Sequence, residues 1–384
     1  MRLIKLSEVA PSKALSINSF SEEQNVWLLN LDQIQSNTGE AVEVKSVPVT
    51  DIKGSVHGFD QRHVLYSKLR PYLNKVVVPC KPGVATTELV PMLPDPEVLD
   101  RNYLAYYLKS KKFVNWVKSQ IDGAKMPRVS MKIFWDHKIP LPPLEEQKRI
   151  AVILDKAEAI RRKREEAIKL ADEFLRSVFL DMFGDPVTNP KGWAVLNFGD
   201  VGTSRLGKML DKGREVGDCQ YPYLANFNVQ WGRFNLDNLR CMDFSEEDRK
   251  EFELREGDLL ICEGGEVGRT AIWRNELNSV FFQKALHRVR LDLSITNPEY
   301  VQSYMLFMAK NGGFGDFTNS ATIAHLTGVK LKMLPIPIPP LNIQKIFSKI
   351  FKSIERQKIL LNNQLVSQNM LFGSLQQRAF KGEL

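Results

Sequence analysis

Two stretches of this chain carry the same long helical rhythm. Between 145 and 183 the apolar residues Ile150, Ile153, Leu154, Ala157, Ile160, Ala167, Ile168, Ala171, Phe174, Leu175, Val178 and Phe179 return at spacings of three and four, the stripe of an amphipathic helix. Ile346, Phe347, Ile350, Phe351, Ile354, Leu361, Leu365, Leu371, Phe372 and Leu375 repeat it near the C-terminus. Pro142 and Pro143 stand just before the first stretch, where proline is tolerated. Glu145 and Glu146 then complement the dipole of the first turn. Each predicted helix is on the order of 55 Å long at ~1.5 Å per residue. Apolar stripes of that length outside a globular core need a partner helix. The two are therefore expected to pack as an antiparallel coiled coil related by a pseudo-twofold axis; the alternative is that each lies on its own domain.

Elsewhere the pattern is short and mixed. Residues 1–144 and 185–341 alternate brief β-like runs, such as Val76-Val77-Val78 and Leu259-Leu260-Ile261, with Gly, Pro and Asn turns. Each region also has one amphipathic helix near its end, over 97–119 and 298–310. The fold class is α+β. A turn-rich linker, Gly184 to Gly192, separates the halves.

Laid on itself, the chain repeats. I-P-L-P-P-L at 139–144 returns as I-P-I-P-P-L at 336–341, an offset of 197 from Leu144 to Leu341. Gln147 and Gln344 keep that offset, as do Phe183 and Phe380, and Val129-Ser130 and Leu326-Thr327. Weaker echoes pair Leu6-Ser7-Glu8-Val9 with Phe198-Gly199-Asp200-Val201 at 192, and Val64-Leu65-Tyr66-Ser67 with Leu259-Leu260-Ile261-Cys262 at 195. The period is far longer than the ~20–50 residues of a solenoid unit, so this is a duplicated domain pair. The expected divisions are a first domain, 1–144; a central helix, 145–184; a second domain, 185–341; and a C-terminal helix, 342–384.

Composition narrows the partner rather than the fold. Fifty-three Lys and Arg against 45 Asp and Glu give a net charge of +8 and a pI near 9.1, which suits a polyanion without requiring one. Cys80, Cys219, Cys241 and Cys262 are scattered without C-x-x-C spacing, as free thiols of a reducing cytosol would be. The N-terminus has no apolar signal-peptide core, and no apolar run approaches the ~18 residues of a membrane span. A soluble, cytoplasmic chain with no membrane partner is expected.

Several motifs resemble catalytic ones and fall short. G-T-S-R-L-G-K-M at 202–209 lacks the hydroxyl residue that a phosphate-binding loop places on Mg²⁺, and reads as a glycine-bearing loop. N-P-E-Y at 297–300, with Gly264, Gly265 and Gly268 upstream, resembles an adenine-holding motif. Asp95-Pro96-Glu97 stands at nearly the corresponding place in the first copy, so a helix cap with a first-turn proline accounts for both. Asp32 followed by Glu43-Val44-Lys45 is too short a nuclease pattern to carry weight. His57, His63, His137, His287 and His325 have neither triad nor metal spacing. No catalytic residue, metal or cofactor is expected.

The ordered set K-L-R-P-Y-L-N-K (68–75), I-P-L-P-P-L-E-E-Q-K-R-I (139–150), G-D-L-L-I-C (257–262) with V-G-R (267–269), and the two terminal helices resembles the specificity subunit of type I restriction–modification systems along essentially the whole chain. The second copy departs from the first in lacking the acidic pair of 145–146. The resemblance implies a non-catalytic reader of double-stranded DNA. It implies two target recognition domains for the unlike halves of a split site. It also implies helices that recruit two methyltransferase subunits, and a motor–nuclease subunit able to join. A coiled-coil scaffold and a self-contained methyltransferase or nuclease are the competing readings.

For such a reader, base edges call for Arg, Lys, Asn or Gln and phosphates for Lys, Arg and small polar groups. The candidates are Lys68, Arg70, Tyr72, Lys75, Lys125 and Arg128 in the first domain. In the second they are Arg205, Lys208, Arg269, Arg274, Lys284, His287, Arg288, Arg290 and Thr322. Arg288 and Arg290 share a strand face. A spacer on the order of 50 Å exceeds one duplex turn of about 34 Å, so helix length is expected to set an unread gap between the half-sites.

Overall fold

The computed structural model describes residues 2–122, 126–209, 217, 219–317 and 325–384. The chain divides into two compact units, Met1–Glu166 with Asn362–Leu384, and Ala167–Leu361. Each unit holds one β-rich region and a portion of both long helices, which run Leu144–Phe183 and Leu341–Ala379.

In the first unit, strand Arg2–Lys5 pairs antiparallel with Lys138–Leu141. A four-stranded sheet runs in the order Lys45–Pro48, Asn25–Leu29, Gly83–Thr86, Val56–Phe59, and a three-stranded sheet in the order Val76–Val77, Val64–Ser67, Leu89–Met92. Tyr66, Tyr103, Tyr107, Phe113 and Phe134 fill its main core. The helix expected over 97–119 is two helices, Arg101–Lys109 and Lys111–Lys118. Ser110 interrupts it with an extended backbone and accepts a hydrogen bond from Phe113 N at 3.3 Å. A serine that caps a new helix competes with continuing the old one.

The second unit repeats this plan. Ala194–Asn197 pairs with Pro335–Ile338; a four-stranded sheet, Gly202–Leu206, Leu286–Leu291, Leu259–Cys262, Thr270–Ile272, is the counterpart of the first unit's three-stranded sheet, and a three-stranded one, Arg240–Asp243, Gln220–Leu224, Phe281–Phe282, that of its four-stranded sheet. Leu196 faces Ile336 as Ile4 faces Ile139. The offsets of 192 and 197 thus meet in one register, and the faint N-terminal echo is a true repeat. Gly202-Thr203-Ser204-Arg205-Leu206 is a strand rather than the expected loop. A side chain at Gly202 would meet Arg290 O at 2.5 Å, so glycine here serves close strand approach.

The strongest likeness lies where each helix leaves its domain. The fully buried Gln147 donates to Val98 O and Pro142 O and accepts from Asp100 N. Gln344, equally buried, donates to Ile295 O and Pro339 O and accepts from Asn297 N. Each of these partners is displaced by 197, and Gln344 accepts one further bond, from Thr296 Oγ1 at 3.0 Å, where the first unit has Leu99. Asn297 therefore corresponds to Asp100 rather than to Asp95. Tyr103 Oη donates to Pro140 O at 2.9 Å and Tyr300 Oη to Pro337 O at 2.6 Å, again 197 apart.

The helix ends are exchanged. In the first unit Phe380, from the end of the C-terminal helix, meets Tyr103 at 5.4 Å and Tyr107 at 5.2 Å between ring centres. In the second, Phe183, from the end of the central helix, meets Tyr300 at 4.8 Å and Phe347 at 5.2 Å. The start of one helix therefore packs beside the end of the other within each unit, which is antiparallel pairing. Gln368 Nε2 donating to Ala157 O in the first unit and Lys358 pairing with Asp172 in the second continue it.

Candidate nucleic-acid interface

Each unit presents the same three-part surface: a loop after a buried strand, the segment before the last short helix, and a turn after the parallel strand, Asn25–Leu29 beside Gly83–Thr86 in the first unit and Gln220–Leu224 beside Phe281–Phe282 in the second. In the first unit the loop follows Val64–Ser67. Lys68 N donates to Glu88 O, while Lys68 O accepts from Val129 N. In the second it follows Leu259–Cys262, with Glu263 N bonded to Ala285 O and Glu263 O to Leu326 N. Lys68 and Glu263 are thus equivalent positions of opposite charge. Two residues further on, Arg70 has φ 46° where its counterpart Gly265 has φ 76°. A left-handed arginine costs of order 1–3 kcal/mol, and the glycine does not.

The third element is the turn. Lys75 Nζ donates to Leu31 O at 2.6 Å, and Arg269 donates to Asn226 O at 2.8 Å and Asn226 Oδ1 at 2.7 Å. Strand pairing of Leu65 with Val77 and Leu260 with Ala271 makes Lys75 and Arg269 equivalent. Both hold the carbonyl of the turn that follows the parallel strand.

The other candidate cations fall into two kinds. Lys68 is half-buried, Arg70, Tyr72 and Lys284 are exposed, and Arg70 and Lys284 make no ion pair among the described residues. Arg128 is bidentate to Glu88, with bonds of 2.8 and 3.2 Å, and its guanidinium holds the Glu88 carboxyl below the usual range. The remaining cations of the second unit are drawn onto the protein. Arg205 pairs with Glu251, and Lys208 with Asp248 at 2.6 Å. Arg274 reaches Glu299 at 3.5 Å. Arg288 donates to Glu251 O and Glu253 O, both at 2.9 Å, and burial lowers its pKa. Arg290 sends two bonds of 2.7 Å to Asp258, which raise its pKa. His287 is buried against Leu326 O at 3.1 Å, and burial lowers its pKa too. Lys125 and Thr322 lie outside the described residues.

Sequence reasoning passed over Asn226, Phe227 and Arg240. Phe227 is 46% exposed, with the Arg240 guanidinium 5.1 Å from its ring centre. The usable signal was the offset, which carries the turn after Asn25–Leu29 onto the turn after Gln220–Leu224. Among the described residues no cluster of His, Cys, Asp and Glu fits a metal ion, and no helix is long and apolar enough to cross a membrane.

A duplicated α+β unit, each copy braced by two antiparallel long helices and offering one three-part loop surface, defines a class of tandem two-domain proteins. The chain belongs to the family of type I restriction modification DNA specificity domains, whose model matches residues 76–170 and 190–368. It is 32% identical over 296 residues to the MjaVIII specificity subunit of Methanocaldococcus jannaschii, covering 72% of this chain and 68% of that one. The EcoKI specificity subunit of Escherichia coli K12 is 24% identical over 304 residues, or 73% and 65% of the two chains. The EcoDI specificity subunit of Escherichia coli is 22% identical over 192 residues, or 49% and 42%. The match thus spans about two fifths to two thirds of these relatives' lengths. Two solved structures share the fold at a TM-score of 0.60. One is a chain of a type I restriction–modification system described for its complex assembly, 18% identical, covering 100% of this chain and 98% of that one. The other is the type I S subunit of M. genitalium, 12% identical, covering 99% and 96%.

Proposed function

We propose that this chain is the non-catalytic, DNA-reading subunit of a type I restriction–modification complex. Its two recognition domains read the unlike halves of a split duplex site. The observation that carries this reading is the contrast between frame and loops. The buried clamps of Gln147 and Gln344 share three backbone partners, while the equivalent surface loops differ in charge, Lys68 against Glu263. A fixed frame with divergent loops suits one kind of docking partner and two different sequences.

Lys68, Arg70 and Lys284 are the cations best placed for phosphates or base edges, with Tyr72 beside the first two. Arg205, Lys208, Arg274, Arg288 and Arg290 would have to leave carboxylates or carbonyls to do so. The long helices support partner docking. Val152, Ile160, Leu170, Phe174, Ile359, Leu360, Val366, Met370 and Leu371 are each about half exposed or more. Apolar rows of this kind mark protein contacts, and two adenine methyltransferase subunits are the partners the family suggests, with a motor–nuclease subunit able to join.

Duplex binding of the chain assembled with its methyltransferase, measured against salt, tests this. The reading predicts a steep fall in affinity with salt and preference for one split site. Assembly without any duplex binding would favour a protein-only scaffold instead.

A further inference from the structure

The Asn226–Asn228 turn is held more firmly than a connecting turn requires. Asn226 Oδ1 and its carbonyl accept from Arg269, and its Nδ2 donates to Gly264 O at 2.6 Å. The fully buried Asn228 accepts from Ala225 N and donates to Asn235 O, both at 2.9 Å. Gln230 Nε2 donates to Phe227 O at 2.8 Å. Between these fixed points the Phe227 ring stands 46% exposed, with Arg240 against it at 5.1 Å. The left-handed Gly265 lies beside Asn226.

A rigid turn that presents an aromatic ring next to a cation has the form of a preorganised contact. Phe is suited to the methyl group that thymine shows in the major groove, and Arg240 supplies charge for a neighbouring phosphate. We propose that this turn reads a base of the second half-site. Phe227 makes the apolar base contact, and Arg269 acts as a positioning residue that holds the turn. This inference rests on the DNA-reading function proposed above. It assigns that domain's specificity to a turn rather than to its arginine-bearing strand.

The test uses the complex with the methyltransferase and maps methylated sites and relative duplex affinities for wild type, Phe227→Ala, Arg269→Ala and the double variant. Wild type first establishes whether there is a split site; its absence would remove the parent reading itself. With a split site present, Phe227→Ala is expected to relax one position of the second half-site by about 5- to 100-fold, the range by which one base pair of a site discriminates. The first half-site and the gap should be unchanged. Arg269→Ala should relax the same position, and the double variant should add little to either single change. A thermal melt of Phe227→Ala at the wild-type temperature would establish that folding is kept, since the ring is exposed. Undiminished discrimination in Phe227→Ala, or relaxation only in the first half-site, would overturn the assignment.

Discussion

Asp258 is 1% exposed and receives both arms of Arg290 together with Arg255 N, whereas Arg70 reaches no carboxylate among the described residues. The two arginines look alike in a sequence, and only their neighbours separate structural from available charge. Asp258→Asn should destabilise the protein by about 1–3 kcal/mol, because it breaks charge-assisted bonds from Arg290 at a buried carboxylate; urea unfolding would measure it. Arg70→Gly should instead leave stability unchanged or raise it by up to about 1 kcal/mol, by relieving the left-handed backbone. The same variant should weaken duplex binding and reduce the salt slope by about one. A stable variant with unaltered binding would remove Arg70 from the interface. His137 gives a pH dependence. Burial, with Lys112 nearby, lowers its pKa to about 4, and Tyr107 Oη lies 2.8 Å from Nε2. Between pH 6.5 and 4 the unfolded chain binds the proton and the folded one does not, so stability falls as pH falls through that window, by about 3 kcal/mol in all. His137→Gln should flatten the fall.

At the scale of elements, much was legible because packing leaves a periodic trace. The two long helices, the helix Pro298–Lys310 and the strands around Val76 and Leu259 follow directly from apolar spacing. The break at Ser110 did not, since a serine in a helical rhythm signals a cap only once its backbone is extended. Gly202–Leu206 was hidden for a related reason: its glycine serves strand approach, yet in one dimension it looks like a phosphate loop. The cation-rich loop of Lys68 was visible in the sequence. The turn at Phe227 was not, because its anchors, Arg269 and Gly264, lie far along the chain. The glutamine clamps offer the sharpest check at this scale. Gln147→Ala leaves Asp100 N and two carbonyls without their partner in a buried site. It should cost about 2–3 kcal/mol, and Gln344→Ala should cost the same in the other unit. Hydrogen exchange would locate each loss at the junction of helix and domain.

For the whole molecule, the exchanged helix ends matter most. Phe380 completes the core of the unit that contains the first domain, and Phe183 completes the other, so neither domain is finished by its own helix alone. This reciprocity follows from the expected antiparallel pairing of two equal helices; what the sequence left open was which residues complete each core. If the helices also set the gap, removing seven residues from the middle of the central helix and the matching seven from its partner shortens each by about 10 Å, roughly three base pairs. Both half-sites should stay as they are. A change in the half-site bases would show that the helices do more than measure. The central claim, that this chain reads a split duplex site for a methyltransferase, is tested most directly by mapping adenine methylation in cells that express both, with and without the chain. The account predicts a two-part motif with unlike halves and an unread gap, present only with the chain. A single uninterrupted motif, or a methylation pattern indifferent to the chain, would contradict it.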